Sequence, residues 1–351
     1  MSKSLPLEGK VSADRLTDEV DGTERGASAM ARKFALLALF AVLAAGGMLL
    51  SVCLGSVEIP AAEVWQILAG GSGQHEQILL NIRLPRTIVA ALVGINLALS
   101  GAILQAVMKN PLADPHIIGI SSGAGLAGIL VMLALPGWAF LVTPVAFAGA
   151  MLAALIIYIL AWKNGIQPIR IILAGVAVSA FLSAGISGLM IFYSDRVHSA
   201  LVWLIGGLSA RSWPQVELLW PYTLCCMLAA FAAARHINIL QLGDELAKGL
   251  GLRVELTRLV LTALAALLAA SAVSVVGLLG FVGLIVPHAA RLLLGSDYRF
   301  LLPGSALLGA GLVTGSDTFA RIAFAPVELP VGIIMAVLGA PFFLFLLRRE
   351  L

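Results

Sequence analysis

The sequence predicts an all-α integral membrane protein, a polytopic bundle of about ten transmembrane helices. Three observations carry that prediction. Hydrophobic residues make up 60% of the 351-residue chain and charged ones only 12%, about half the share usual in a soluble domain. The apolar residues fall in continuous runs of about 20, the length that spans a bilayer as a helix, whereas a membrane β-barrel alternates in short segments. The 36 glycines point to helices whose backbones approach closely.

Residues 1–32 are polar, charged and aperiodic, which predicts a flexible cytoplasmic tail and no signal peptide. The transmembrane domain then covers 33–351, and its first span is expected over about 33–54. Pro60 ahead of Glu63, with Val64, Ile67 and Leu68 along one face, predicts a short interfacial helix. The second span covers about 84–107 and opens on Arg83, Pro85 and Arg86. Pro111 and Pro115 disfavour the α conformation in the residues before them, so NPLADP (110–115) reads as a compact turn. The third span covers 116–135 and stops at Pro136-Gly137; the fourth covers 140–162 and the fifth 170–193. SDRVHSALVWLIGGLSARSW is apolar on one face but too interrupted to cross, which predicts a second interfacial helix over 196–205. The sixth span covers 214–234. The polar connection 235–258 predicts short helices lying across the end of the bundle. Residues 256–294 are too long for one span and tight for two, which places a break near 274–280. The ninth span covers 302–319 and the tenth 329–347.

Ten spans put both termini on one side. Arg83, Arg86, Arg196, Arg211 and Arg321 fall on the opposite side, and the other 17 of the 22 Lys and Arg lie with the termini. The positive-inside rule places that richer side in the cytoplasm. The net charge of +3 therefore reports orientation, and no nucleic-acid partner is expected. Cys53, Cys225 and Cys226 lie inside predicted spans, with neither disulfide nor metal-ligand spacing, and read as apolar filler.

No GxxxxGK[ST] nucleotide loop and no HExxH pair occurs, so no catalytic residue, cofactor or resident metal is expected. Asp317, in TGSDTFAR near the outer end of the ninth span, is four residues from Arg321, the helical spacing of a local ion pair. An ion-coupled carrier would bury several ionisable groups near the midplane; energy is expected from elsewhere. His288 and His116 each follow proline near a helix end and read as capping or hydrogen-bonded structural residues. The tryptophans lie mostly near span ends, where amphipathic rings settle. Two features resist a structural reading. Arg83, Arg86 and Arg321 are cations on a charge-poor outer face, suited to lipid phosphates or to the carboxylates of a soluble partner. Residues 238–253 exceed what a turn needs and suit the docking of an energising subunit.

RLPRTIVAALVGINLALSGAILQAVMKNPLADPHIIGISSGAG, LLGFVGLIVPHAARLLLGSDYRFLLPGSALLGA and ELPVGIIMAVLGAPFFLFLLRR resemble the permease subunits of ABC importers for iron–siderophore complexes, haem and vitamin B12. The resemblance covers about residues 35–349. It implies a ten-helix fold like that of the vitamin B12 importer permease, in the bacterial cytoplasmic (inner) membrane. The implied partners are a second permease subunit, identical or paralogous, two ATP-binding subunits, an extracytoplasmic substrate-binding protein and membrane lipid. Arg83, Arg86 and Arg321 match the arginines that receive the binding protein's glutamates. Leu242, Gly243, Asp244, Glu245, Leu246, Ala247, Leu250 and Gly251 match the coupling helices that meet the ATPase. Asn110 and Leu112 match one part of the inner gate, and Gln167, Pro168 and Ile169 a second, where the vitamin B12 permease has small hydroxyl residues. The implied function is ATP-driven import by alternating access, with ferric siderophores favoured as cargo. Haem, cobalamin or an oxyanion is the alternative within the family, and an ion-coupled carrier the alternative outside it.

Overall fold

The computed structural model describes residues 8–55, 57–116, 119–163, 168–325 and 327–350. Each of the ten predicted spans is a helix. α1 (Glu8–Cys53) is followed by the short α2 (Ala61–Leu68). α3 (Glu76–Ile78) runs through a π-helical turn (Leu79–Arg83) into α4 (Leu84–Val107). α5 (Ile120–Ala134), α6 (Val142–Ala161) and α7 (Pro168–Phe192) come next, then α8 (Val197–Ile205) and α9 (Trp213–Gln241). The short α10 (Asp244–Gly249) precedes α11 (Val254–Val276), α12 (Val282–Leu294), α13 (Tyr298–Ile322) and α14 (Val331–Glu350). Among the described residues, six helical segments are long and apolar enough to cross a membrane, and α5, α12 and the apolar part of α14 are shorter apolar helices.

The largest boundary differences from the expected spans are three extensions. Helix α1 starts at Glu8, so residues 8–32, expected as tail, continue the first span as helix. The helix ahead of α4 begins at Glu76, and α9 runs on to Gln241. In each case polar residues extend a helix that an apolar window cuts short.

Helix α4 is the axis. Its apolar residues occupy all sides, as a fully enclosed helix requires, and Leu97, Leu99, Ile103 and Leu104 are buried among α9, α11, α12 and α13. Two glycines make that possible. A Cβ on Gly94 would lie 2.1 Å from the carbonyl oxygen of Gly309, and one on Gly101 would lie 2.0 Å from that of Gly283. The backbones therefore touch, as small-residue membrane interfaces allow. Polar bonds fix the register: Asn96 Nδ2 donates to Ser271 Oγ at 3.1 Å, and Ser100 Oγ donates to the carbonyl of Ala265 at 2.7 Å.

The expected break between the seventh and eighth spans falls at residues 277–281. Gly277 takes φ +82 and Phe281 φ +67. Helix α12, at 13 residues, is too short to span alone. Helix α8 was expected to lie at the interface. It buries one face, Ala200 and Trp203, leaves most of the rest exposed, and its end docks on the break: Gly207 N–H donates to Val276 O, and Gly332 N–H to Gly206 O. Trp203 is thus core, against the general expectation for the tryptophans. His288 sits mid-helix in α12, not near its end as expected for a cap, buried and edge-on to Phe342 with ring centroids 5.8 Å apart.

Candidate functional site

Charged side chains gather at the two opposite ends of the bundle, with an apolar cavity between. At the first end the start of α4, the end of α1 and the end of α13 converge. Arg83, Arg86 and Arg321 come together there, but not as free surface cations: they are 4%, 6% and 3% exposed. Arg86 makes a two-pronged bond to Asp317, with Nε and Nη2 each 2.9 Å from a carboxylate oxygen, and its Nη1 donates to Glu328 at 2.8 Å. Arg83 donates to the carbonyls of Val52, Cys53 and Val57, which close the end of α1. Arg321 donates to Ser51 O, Ser51 Oγ and Leu54 O, and Ser51 in turn bonds Thr87. The expected Asp317–Arg321 contact exists at 3.3 Å, but without hydrogen-bond alignment at Nε. The stronger partner of Asp317 is Arg86, 231 residues away in sequence, and only packing of α13 on α4 reveals it. Three guanidiniums face two carboxylates around a cleft of about 170 Å³ lined also by Gly55, Val57 and Ile82. Glu328 is the partly exposed member, at 31%. Nothing in its sequence context, PVELPVG, singled it out.

At the other end lies the segment 242–251. Gly243 at φ +106 and Gly251 at φ +82 bracket α10. Ala247 faces inward and is fully buried, while Leu242, Leu246 and Leu250 are 55%, 62% and 63% exposed. Leu242 ends α9 ahead of the Gly243 bend, Leu246 lies on α10 and Leu250 follows it, so three exposed leucines stand along one short segment; Glu245 is exposed as well. Asp244 pairs with Lys109 at 2.9 Å and with Arg258 at 2.8 Å, partners that the sequence reading did not pick out. Nearby, Asn238 Nδ2 donates to Asp297 Oδ1 at 2.7 Å, and Asp297 caps α13 and binds Arg299. Burial pushes the Asp297 carboxyl up, but the bonds from Arg299 and Asn238 prevail and hold it at about 2. Its stabilisation is therefore fully present above the ordinary carboxylate range and is lost as pH falls through the folded value. We expect wild type to unfold in detergent at a higher temperature than D297N near pH 6, by about 1 kcal/mol, with the gap closing between about pH 4 and 2. Equal stabilities at pH 6 would show that the cap contributes nothing.

Between the two ends, a cavity of about 700 Å³ opens beside the helix break, lined by Leu112, Asp114, His116, Leu278, Phe281 and Ile333 among others. Asn110 and Leu112, expected at an inner gate, hold the turn on its wall: Leu112 N–H donates to Asn110 Oδ1 at 2.9 Å, and His116 N–H to Asp114 Oδ1 at 2.9 Å. Of the second gate segment, Gln167 lies outside the described residues, Pro168 starts α7, and Ile169 is 65% exposed.

A many-helix membrane bundle with a helix break beside an apolar cavity and exposed leucines at one end has the build of a transport permease. The chain belongs to the FecCD transport family, whose profile matches residues 41–349; it is a multi-pass permease of the ABC importer class. It is 41% identical over 302 residues to the Fe(3+)-citrate import system permease protein YfmE of Bacillus subtilis, covering 86% of this chain and 91% of that protein. It is 46% identical over 281 residues to the cobalamin import system permease protein BtuC of Halobacterium salinarum, covering 79% and 75%. A solved structure of a metal-chelate type ABC transporter in an inward-facing conformation superposes with a TM-score of 0.78 at 29% identity, over 90% of this chain and 99% of that one.

Proposed function

We propose that the chain is the membrane-spanning subunit of an ATP-driven importer of ferric chelates, with both termini in the cytoplasm. The observation that carries this is the exposure of Leu242, Leu246 and Leu250, on α10 and at its two flanks. Three exposed leucines on one short segment, at the end where basic residues concentrate, suit burial in a groove of a cytoplasmic ATPase. A second permease chain, identical or paralogous, completes the path, and two ATP-binding subunits drive it. The turn at 110–115 and residues 167–169 act as the inner gate. A soluble binding protein meets the end that holds Arg83, Arg86 and Arg321. That cluster carries one positive charge in excess, and an incoming carboxylate would compete for Arg86 with Glu328, its exposed partner. Iron cargo is favoured by the iron-citrate relative at 41% identity over most of both chains. A cavity with a nearly apolar wall suits a bulky chelate that must leave as readily as it enters.

The test is uptake of a radiolabelled ferric siderophore or ferric citrate into proteoliposomes holding the permease, its ATPase and its binding protein. Uptake is expected to need ATP. L246D, which changes an exposed side chain, is expected to leave unfolding within about 0.5 kcal/mol of wild type while abolishing ATPase co-purification and uptake. Uptake of haem or cobalamin in place of the iron chelate would overturn the cargo, and uptake driven by an ion gradient without ATP would overturn the mechanism.

A further inference from the structure

Helix α10 has little burial to fix it: Ala247 is its one buried residue. Its firmest side-chain tie is Asp244, whose Oδ1 accepts from Lys109 Nζ and from Arg258. Arg258 belongs to α11 and is buried, so it anchors the carboxylate on one side. Lys109 lies on the other side, just past the end of α4. Its backbone is left-handed, with φ +47. Lys109 N–H returns to Ala106 O at 3.2 Å and Asn110 N–H to Gln105 O at 3.1 Å. This is the bond pair that ends a helix through a left-handed residue, where glycine is usual. An L residue is strained there, and glycine would close the turn more easily. What the lysine adds is its bond to Asp244. The next residue, Asn110, opens the turn whose Leu112, Asp114 and His116 line the cavity. Gln241, at the end of α9, donates to Ala106 O at 3.0 Å, so the last turn of α4 is tied to the chain on both sides of the Gly243 bend.

We propose that Lys109 and Asp244 form a latch through which displacement of α10 is passed to the turn at 110–115 and so to the wall of the cavity. This rests on reading α10 as the ATPase-docking helix. A push on α10 moves the Asp244 carboxylate, and Lys109, one residue ahead of the turn, moves with it. Burial raises the Asp244 carboxyl, but the bond from Lys109 and the charge of Arg258 outweigh it and keep it below the usual carboxylate range. The pair is therefore charged at neutral pH. Lys109, Asp244 and Arg258 act as positioning residues and need touch no cargo.

The complete transporter, reconstituted with its ATPase and binding protein, gives three readouts: ATPase retained on purification, ATP hydrolysed, and ferric chelate moved. K109G keeps the left-handed turn and removes the cation. It is expected to retain the ATPase and hydrolyse ATP like wild type, while chelate moved per ATP falls by about fivefold or more. K109R is expected to restore transport. Undiminished transport per ATP in K109G would overturn the latch. Loss of the ATPase from K109G would overturn it too, since the pair would then shape the docking surface instead of transmitting motion. Wild type that retains no ATPase would overturn the docking reading, and the latch with it, a result distinct from the others.

Discussion

Replacing Asp317 by alanine is expected to destabilise the folded chain by about 3–5 kcal/mol, the cost of removing one partner from a buried ion pair. Asp317 is fully buried between Arg86 and Arg321. It takes both prongs of Arg86. With the carboxylate gone, the partly exposed Glu328 is the one carboxylate left to balance Arg86 and Arg321, and Arg321 keeps its bonds to the end of α1. D317N keeps the shape and one acceptor oxygen, so its loss is expected to be smaller. The measurement is the midpoint of thermal unfolding in detergent, with Glu328→Gln as a partly exposed comparison expected to cost under about 1 kcal/mol. D317A unfolding together with E328Q would refute the view that this cluster holds α1, α4 and α13 together.

The second large effect is steric. Gly101→Ala is expected to cost about 3 kcal/mol, the upper end for adding a methyl group to a closed contact. The new Cβ would meet the oxygen of Gly283 at 2.0 Å and its Cα at 2.4 Å. Both are backbone, so no side-chain rotation relieves the clash. Moving α12 away would also break the bond from Gln105 Nε2 to Gly283 O, now 3.1 Å. Gly188→Ala in α7 is the control. Nothing lies within 4 Å of that Cβ, and alanine's helix propensity predicts a gain of up to about 1 kcal/mol. Expression with normal stability in G101A would show that α4 and α12 can part, contrary to their backbone contact.

Lys109 shows where sequence reasoning stops short. Read along the chain, it is one more basic residue at the end of a span, and it entered the orientation count as nothing else. Its left-handed backbone and its bond to Asp244, 135 residues on, exist only once α9 and α10 fold back across α4. Glu328 shows the same. It looks like an ordinary loop carboxylate until α13 lays Asp317 against Arg86. Trp203 is a third case: placed at an interface by its position near span ends, it is buried where α8 closes over the break, because Gly277 leaves room for its backbone carbonyl and Gly128 for its ring.

The sequence by itself determined the membrane class, the helical spans, the break between the seventh and eighth, the turn at 110–115 and the two charged ends. Those features follow from continuous apolar length, from proline and glycine geometry and from counts of Lys and Arg, all of which act over short stretches of chain. Tertiary structure alone decided which charges meet which, that the three arginines are buried in bonds to their own chain, and which glycines are contact points. Ion pairs and backbone contacts between helices depend on relative rotation and depth, and these are fixed only when α4 is packed on every side.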